Sequence, residues 1–82
     1  MTYPDDRTMT TLAVLCVALD FEIWDDDAMV AVTATDSWEV YESEVDALTE
    51  RGWIEHGEGS LAVTESGRYW SDRYQKTRRV RT

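Results

Sequence analysis

The segment LTERGWIEHGEGSLAVTESGR, residues 48–68, decides the fold that the sequence predicts. Gly52 follows a helical apolar pattern and suits the position just beyond a helix, because glycine adopts left-handed backbone angles without strain. Two short alternating stretches, WIEH and SLAV, flank the turn sequence GEGS and predict a two-stranded antiparallel hairpin. Thr64 is a favoured N-cap residue for a following helix. The segment therefore predicts a helix end, a hairpin and a helix start in direct succession.

Helical periodicity extends on both sides of this segment. Between Arg7 and Asp20, apolar residues recur at i, i+3, i+4 and i+7, and the Ala and Leu content favours a helix over a buried strand. A second apolar stripe from Trp38 to Arg51 predicts a helix capped by Asp36 or Ser37. The residues after SLAV predict a last helix that ends near Thr77.

Residues 21–33 connect the first two of these helices. The stretch FEIW, residues 21–24, is aromatic and β-branched and predicts a short strand. Three Asp follow at 25–27, and their carboxylates suit the positive end of a helix, so a further helix is predicted from Asp26 to about Thr33. The predicted fold is α+β, with the order helix, strand, helix, helix, two-stranded hairpin, helix.

The composition indicates one folded domain over residues 1–82, with 1–6 as a polar leader and 78–82 as a basic tail. The chain is 43% hydrophobic and holds four Trp and four Tyr, which distinguishes it from a disordered sequence. A domain of this size buries only about 60% of its unfolded surface, so its core is thin. Dimerisation would add to the buried surface.

Charge divides the chain into two parts. Residues 1–67 carry sixteen Asp and Glu against Arg7 and Arg51, and residues 68–82 carry six Lys and Arg against Asp72. The formal net charge is −9, so an acidic body is joined to a basic C-terminal segment. Seven Arg against one Lys, in an acid-rich chain, resemble the composition of proteins from salt-loving organisms, although a high-GC bacterium or phage could produce it too.

No residue pattern indicates an enzyme, a metal site or a cofactor. Cys16 lies within an apolar run and fits a core position, and His56 has no Cys or second His nearby. The three Asp at 25–27 lack the other spaced ligands of a calcium loop. The N-terminus is acidic, and the longest apolar run, Leu12–Leu19, is too short to cross a bilayer, so we expect a cytoplasmic protein without membrane contact.

The order of elements, with LTERGWIE leading into LAVTESGR, resembles the winged helix-turn-helix domains of MarR- and PadR-like transcription regulators. In these families a helix ends in Leu and then Gly, followed by Leu or Trp and by Ile or Val, and leads into the wing. The second strand of the wing closes on Leu or Val followed by Thr-x-x-Gly. The matching positions are Leu48, Gly52, Ile54, Val63, Thr64 and Gly67. The resemblance covers roughly residues 7–77, and its specific part is the segment quoted above.

The resemblance implies binding of double-stranded DNA, with Trp38–Arg51 as the recognition helix and Glu55–Ser60 as the wing. It also implies a homodimer formed through terminal helices, for which exposed aromatic residues of the last helix are the candidates. The expected nucleic-acid contacts are Ser37, Ser43, Arg51, His56, Ser60, Arg68, Arg73, Arg78 and Arg79. The expected dimer contacts are Tyr69, Trp70 and Tyr74.

The outward face of the predicted recognition helix differs in charge from the family pattern. Carboxylates at Glu39, Glu42, Asp46 and Glu50 fall on the outward side of the predicted recognition helix, where such regulators carry basic or neutral polar residues. DNA phosphates repel such a face, with one negative charge per ~1.7 Å of duplex. Three interpretations stay open: a DNA-associated regulator working in concentrated salt, an acidic module that binds a basic protein or mimics nucleic acid, and a solvated face with the interface on the last helix.

Overall fold

The computed structural model describes residues 3–20, 23–57 and 59–80, and the side chains of these residues as far as position 77. Three helices and five strands form in this part of the chain. In order they are α1 (Asp6–Asp20), β1 (Trp24–Asp25), β2 (Val30–Val32), β3 (Ser37–Glu39), α2 (Glu42–Glu50), β4 (Ile54–Gly57), β5 (Ser60–Val63) and α3 (Glu65–Val80). One antiparallel sheet has the order β1-β2-β3 and a second contains β4 and β5. The fold is therefore α+β, as predicted.

The helix predicted from Asp26 to Thr33 is wrong, because this segment forms a turn and then strand β2. The Asp25 carboxylate does accept a backbone N–H, that of Ala28 at 3.1 Å, but this bond closes a turn. Met29 then adopts a φ of 53°, which no α-helix accommodates. Val30 and Val32, which are β-branched, follow on β2 and favour the strand.

The helix predicted from Trp38 begins only at Glu42, because Ser37–Glu39 pairs with β2 as strand β3. Trp38 is held on this strand by its indole N–H, which donates to the Thr11 hydroxyl at 2.8 Å. Asp36 and Ser37, the two expected N-cap residues, do not cap a helix, because the N-cap of α2 is Tyr41. No helix lies between α1 and α2 in the described residues, and the predicted helix-turn-helix pair is replaced by helix, sheet, helix.

The core forms where one face of α1 meets both sheets and α2. The predicted stripe of α1 is confirmed at Leu12 and Leu15, which are fully buried, whereas Cys16 is half-buried. Burial raises the pKa of the Cys16 thiol. The buried apolar residues are Met9, Leu12, Leu15, Ala18, Ala31, Val40, Val45, Leu48, Trp53, Ile54 and Leu61.

A buried carboxylate ties α1 to the start of α2. Glu44 is only 4% exposed, and its oxygens accept hydrogen bonds from the Arg7 guanidinium, the Thr11 hydroxyl at 3.0 Å and the Tyr41 backbone N–H at 3.0 Å. Arg7 also lies 4.1 Å from the centroid of the Tyr41 ring. A buried carboxylate with this many partners is satisfied and fixes where α2 begins.

The end of α2 is formed by Gly52, as the sequence predicts. Its φ is 75°, and its N–H donates to the carbonyl of Thr49 at 2.9 Å. The N–H of Trp53 donates to the carbonyl of Leu48 at 3.0 Å, which completes a Schellman motif. The predicted hairpin follows as β4 and β5, with Ile54 paired to Val63.

Thr64 joins the end of α2 to the start of α3. Its hydroxyl donates to the carbonyl of Gly52 at 2.7 Å and accepts the N–H of Gly67 at 3.1 Å, which confirms its predicted role as N-cap. Gly67 lies so close to Trp53 that a Cβ atom placed on it would be 2.0 Å from the Trp53 carbonyl oxygen. Helix α3 therefore packs directly on the backbone that begins the hairpin.

We predict that Gly67→Ala destabilises the fold. Alanine gains about 1 kcal/mol over glycine in helix propensity, but the clash with the Trp53 carbonyl forces backbone displacement, which typically costs about 1–3 kcal/mol and sometimes more. Urea unfolding measures the net effect. Ser66→Ala, at an exposed position in the same turn of α3, is the control. Unchanged or increased stability of Gly67→Ala would show that α3 does not pack this closely.

We predict that Thr64→Val lowers the free energy of unfolding by about 1–2 kcal/mol, because the N-cap bond and the bond to the Gly52 carbonyl are both lost. Thr64→Ser keeps a hydroxyl on the same atom and should recover most of the stability. Equal stabilities of the Val and Ser variants in thermal unfolding would contradict the role given to the hydroxyl.

Candidate nucleic-acid interface

The outward face of α2 is acidic in the structure as in the sequence. Glu42, Asp46 and Glu50 are exposed, so the exposed charged side chains of this helix are all carboxylates. Ser43 is exposed in the first turn of α2, whereas Ser37 lies on β3 and is not part of the helix. DNA phosphates repel this face, and α2 is a poor candidate for reading bases.

The histidine of strand β4, His56, contacts the turn of the first sheet. His56 Nε2 lies 2.9 Å from Asp26 Oδ1, and the Trp24 indole N–H donates to the same oxygen at 3.4 Å. The bond with His56, followed by that with Trp24, lowers the pKa of Asp26 below its ordinary value. Ser60 is exposed at the start of β5. The sequence predicts that the Asp run caps a helix and does not indicate Asp26 as the partner of His56, which lies 30 residues away.

Arg68 forms an ion pair within the fold. Its guanidinium donates to the Asp20 carboxylate at 2.7 Å, and the two side chains are 47% and 55% exposed. This hydrogen bond raises the pKa of Arg68. The pair links the end of α1 to the first turn of α3, and Asp20 competes with any phosphate for the guanidinium.

Arg51 and Arg73 lie over the two members of one aromatic stack. The Arg51 guanidinium carbon is 5.2 Å from the Trp53 ring centroid, and that of Arg73 is 5.9 Å from the Trp70 centroid. The rings of Trp53 and Trp70 stack at 6.1 Å with an interplanar angle of 23°. Each tryptophan of the stack therefore has a guanidinium group close to it. The side chains of Arg78 and Arg79 fall outside the described part.

All three expected dimer residues make contacts within the chain, and Tyr69 does so with Trp70 and Arg73 of its own helix. Trp70 stacks on Trp53, and Tyr3 meets the rings of Trp70 and Tyr74 edge-on at 6.0 and 5.1 Å. The Tyr74 hydroxyl also donates to Asp6. Tyr69 is 54% exposed. Dimerisation stays a prediction, and the aromatic surface that suggested it is partly covered by the segment assigned to the leader.

A groove of about 400 Å³ opens between the end of α1, Trp24 of β1 and strand β5. Leu19, Leu61 and Val63 supply apolar walls, and Arg68 also lines the groove. Within the described residues no group of His, Cys, Asp and Glu side chains could hold a metal ion. No helix in the same part of the chain has the length and apolar character needed to span a membrane.

Comparison of the chain with protein-family models, with curated proteins and with solved structures finds no match. The resemblance to winged-helix regulators therefore depends on the order of elements and on the residues of the 48–68 segment. The observed order of elements is compatible with a winged helix, because a hairpin lies between α2 and α3. The class that can be stated for this chain is a small α+β protein.

We predict that Asp26→Asn removes a stabilising contribution that depends on pH. The folded state holds the pKa of Asp26 below its ordinary value of about 3.9, so the carboxylate stabilises the fold above that value. This stability is lost as pH falls through the lowered pKa. The wild type should therefore exceed the variant in urea unfolding at pH above about 4 and converge with it at lower pH.

Asp27→Asn, at the exposed neighbouring position, removes the same charge and serves as the control. It should keep the pH dependence of the wild type. A constant difference between wild type and Asp26→Asn across the whole pH series would contradict the contact with His56.

Proposed function

We propose that this chain is a small DNA-associated transcriptional regulator built on a winged-helix-like scaffold. The observation that carries the proposal is the hairpin β4–β5, which follows a capped helix and leads through Thr64 into α3. This succession of elements resembles a wing between its supporting helices. The scaffold contacts duplex DNA mainly through phosphates, since α2 carries no exposed cation.

The distribution of charge supports the same proposal. Five of the eight Lys and Arg of the chain lie on α3, and Arg81 follows the helix in the sequence. Positive charge concentrated along one helix raises the local potential even on a chain of net charge −9. Phosphate contacts of this kind position a protein on DNA, whereas base contacts would have to come from elsewhere on the surface.

A second candidate is an acidic module that binds a basic protein. It is favoured by the outward face of α2, where Glu42, Asp46 and Glu50 are all exposed. A helix with this face attracts Lys- and Arg-rich segments and repels nucleic acid. The two candidates predict opposite effects of neutralising these carboxylates.

We predict that the protein binds a labelled random-sequence duplex in low salt, with an affinity that falls as KCl rises. Each phosphate contact should contribute about −0.9 to the slope of log K against log [KCl]. Fluorescence anisotropy measures both quantities. A regulator adapted to concentrated salt should also retain binding to a selected sequence in molar KCl. Absence of duplex binding at every salt concentration would overturn the proposal.

The triple variant Glu42→Gln, Asp46→Asn, Glu50→Gln separates the two candidates. If the chain contacts DNA, removal of three exposed carboxylates should strengthen duplex binding, because long-range repulsion falls. If α2 instead binds a basic partner, the variant should lose affinity for a Lys- and Arg-rich peptide. Neutralising Asp27, which is exposed in the turn between β1 and β2, gives a control that removes a carboxylate outside α2.

A further inference from the structure

Helix α1 has a second largely apolar face, opposite the one that forms the core. Thr10, Ala13, Val14 and Val17 recur at i, i+3, i+4 and i+7 and therefore lie along one side of the helix, which we name the outer face of α1. None of the four is fully buried. Val17 is 47% exposed, the largest exposure of any Val, Leu or Ile side chain that the structure describes. A helix that is apolar on opposite sides is normally covered on both, so this face is a candidate interface.

The outer face of α1 is uncharged on a strongly acidic protein. Residues 8–19 include no Asp, Glu, Lys or Arg, although 30% of the chain is charged. The hydroxyl of Thr10 donates to the Asp6 carbonyl of its own helix at 2.8 Å, so this polar group is satisfied without an outside partner. A strongly charged partner would find no opposite charge here to match. Two copies of net charge −9, however, can meet at this face without bringing carboxylates together.

A groove borders the outer face where α1 approaches α3. Its volume is about 200 Å³, and its lining includes Met9, Thr10 and Ala13 of α1 and Gln75 of α3. One water takes about 30 Å³, so the groove has room for a small branched side chain. Val17 carries an exposed side chain of this kind two turns further along the same helix. A protrusion and a matching recess therefore lie on one helix.

We propose that two copies of this chain associate through the outer face of α1, packed antiparallel about a two-fold axis. An interface of this symmetry needs a surface that is complementary to itself. Antiparallel packing centred between Ala13 and Val14 places Val17 of each copy beside Thr10 of the other, because the two positions are equally far from that centre. The groove of each copy thus receives the valine of the other copy.

The proposed interface differs from the one that the resemblance implies on α3. There Trp70 stacks on Trp53, and Tyr69 contacts Trp70 and Arg73 of its own helix. Helix α1 has 15 residues and is about 22 Å long, so a single pair of such helices forms an interface at or below the ~1,200 Å² of weak complexes. We therefore expect a weak dimer whose population depends on concentration.

Analytical ultracentrifugation from micromolar to millimolar protein, in low salt and in molar KCl, tests the dimer. The mass should rise from 9.5 kDa towards twice that value with concentration. Added KCl should strengthen association, because it screens the repulsion between two acidic copies and does not weaken an apolar contact. A wild type that stays monomeric under all these conditions would overturn the inference. Association that weakens as KCl rises would also overturn it, since charge pairs would then hold the copies together.

Two truncations locate the interface. Val17→Ala removes the protruding side chain without lowering helix propensity, and should raise the dissociation constant at least about tenfold, because each dimer loses two buried branched side chains. Tyr69→Ala truncates the exposed aromatic residue of the α3 surface and should leave the dissociation constant unchanged. Thermal unfolding confirms that both variants are folded. The reverse result, with dimers lost in Tyr69→Ala and kept in Val17→Ala, would overturn the inference in favour of α3.

Cysteine cross-linking tests the antiparallel register in a Cys16→Ala background. Oxidation should join Thr10→Cys to Val17→Cys when the two variants are mixed, and should leave each variant alone as monomers. Efficient cross-linking of either variant with itself would overturn the antiparallel arrangement. The inference does not rest on the proposed DNA-associated function, which duplex binding tests separately. Its failure would therefore leave that function standing, and the absence of duplex binding would leave the dimer standing.

Discussion

The rest of the structure depends on the close approach of Gly67 to the Trp53 carbonyl. The hydrogen bonds of the Thr64 hydroxyl hold this approach in place. Thr64 bonds to the last turn before the hairpin and to the first turn after it. The missing side chain of Gly67 then lets α3 rest on the chain between α2 and β4. This contact places Trp70 against Trp53, whose rings stack.

The fold was predictable wherever short-range chemistry decides the backbone. Gly52 and Thr64 act through bonds to residues within a few positions or across one hairpin, so their patterns were read correctly from the sequence. The errors fall between Asp26 and Tyr41, where local signals for a helix were overridden. Met29 adopts a left-handed conformation that no sequence rule demands, and Trp38 is held on β3 by Thr11, which is 27 residues away.

The candidate site was only partly predictable, for a related reason. Arg and His residues could be identified as potential phosphate contacts, but their internal partners could not. Arg68 pairs with Asp20, 48 residues earlier, and His56 pairs with Asp26, 30 residues earlier. Such pairs depend on the tertiary fold and have no signature in sequence spacing. The stacking of Trp53 on Trp70 is equally long-range, although the high tryptophan content indicated that aromatic contacts would matter.

A protein with an acidic body holds part of its own positive charge in internal ion pairs. Arg68 is bound to Asp20, and Arg7 is bound to the buried Glu44, so each shares its charge with a carboxylate. The formal count of six Lys and Arg after residue 67 therefore overstates the positive charge that this part of the chain can offer to the phosphates of the proposed DNA target. Because a planar guanidinium also stacks on an indole better than an ammonium group does, the preference for Arg over Lys in this chain is consistent with the ring contacts of Arg51 and Arg73.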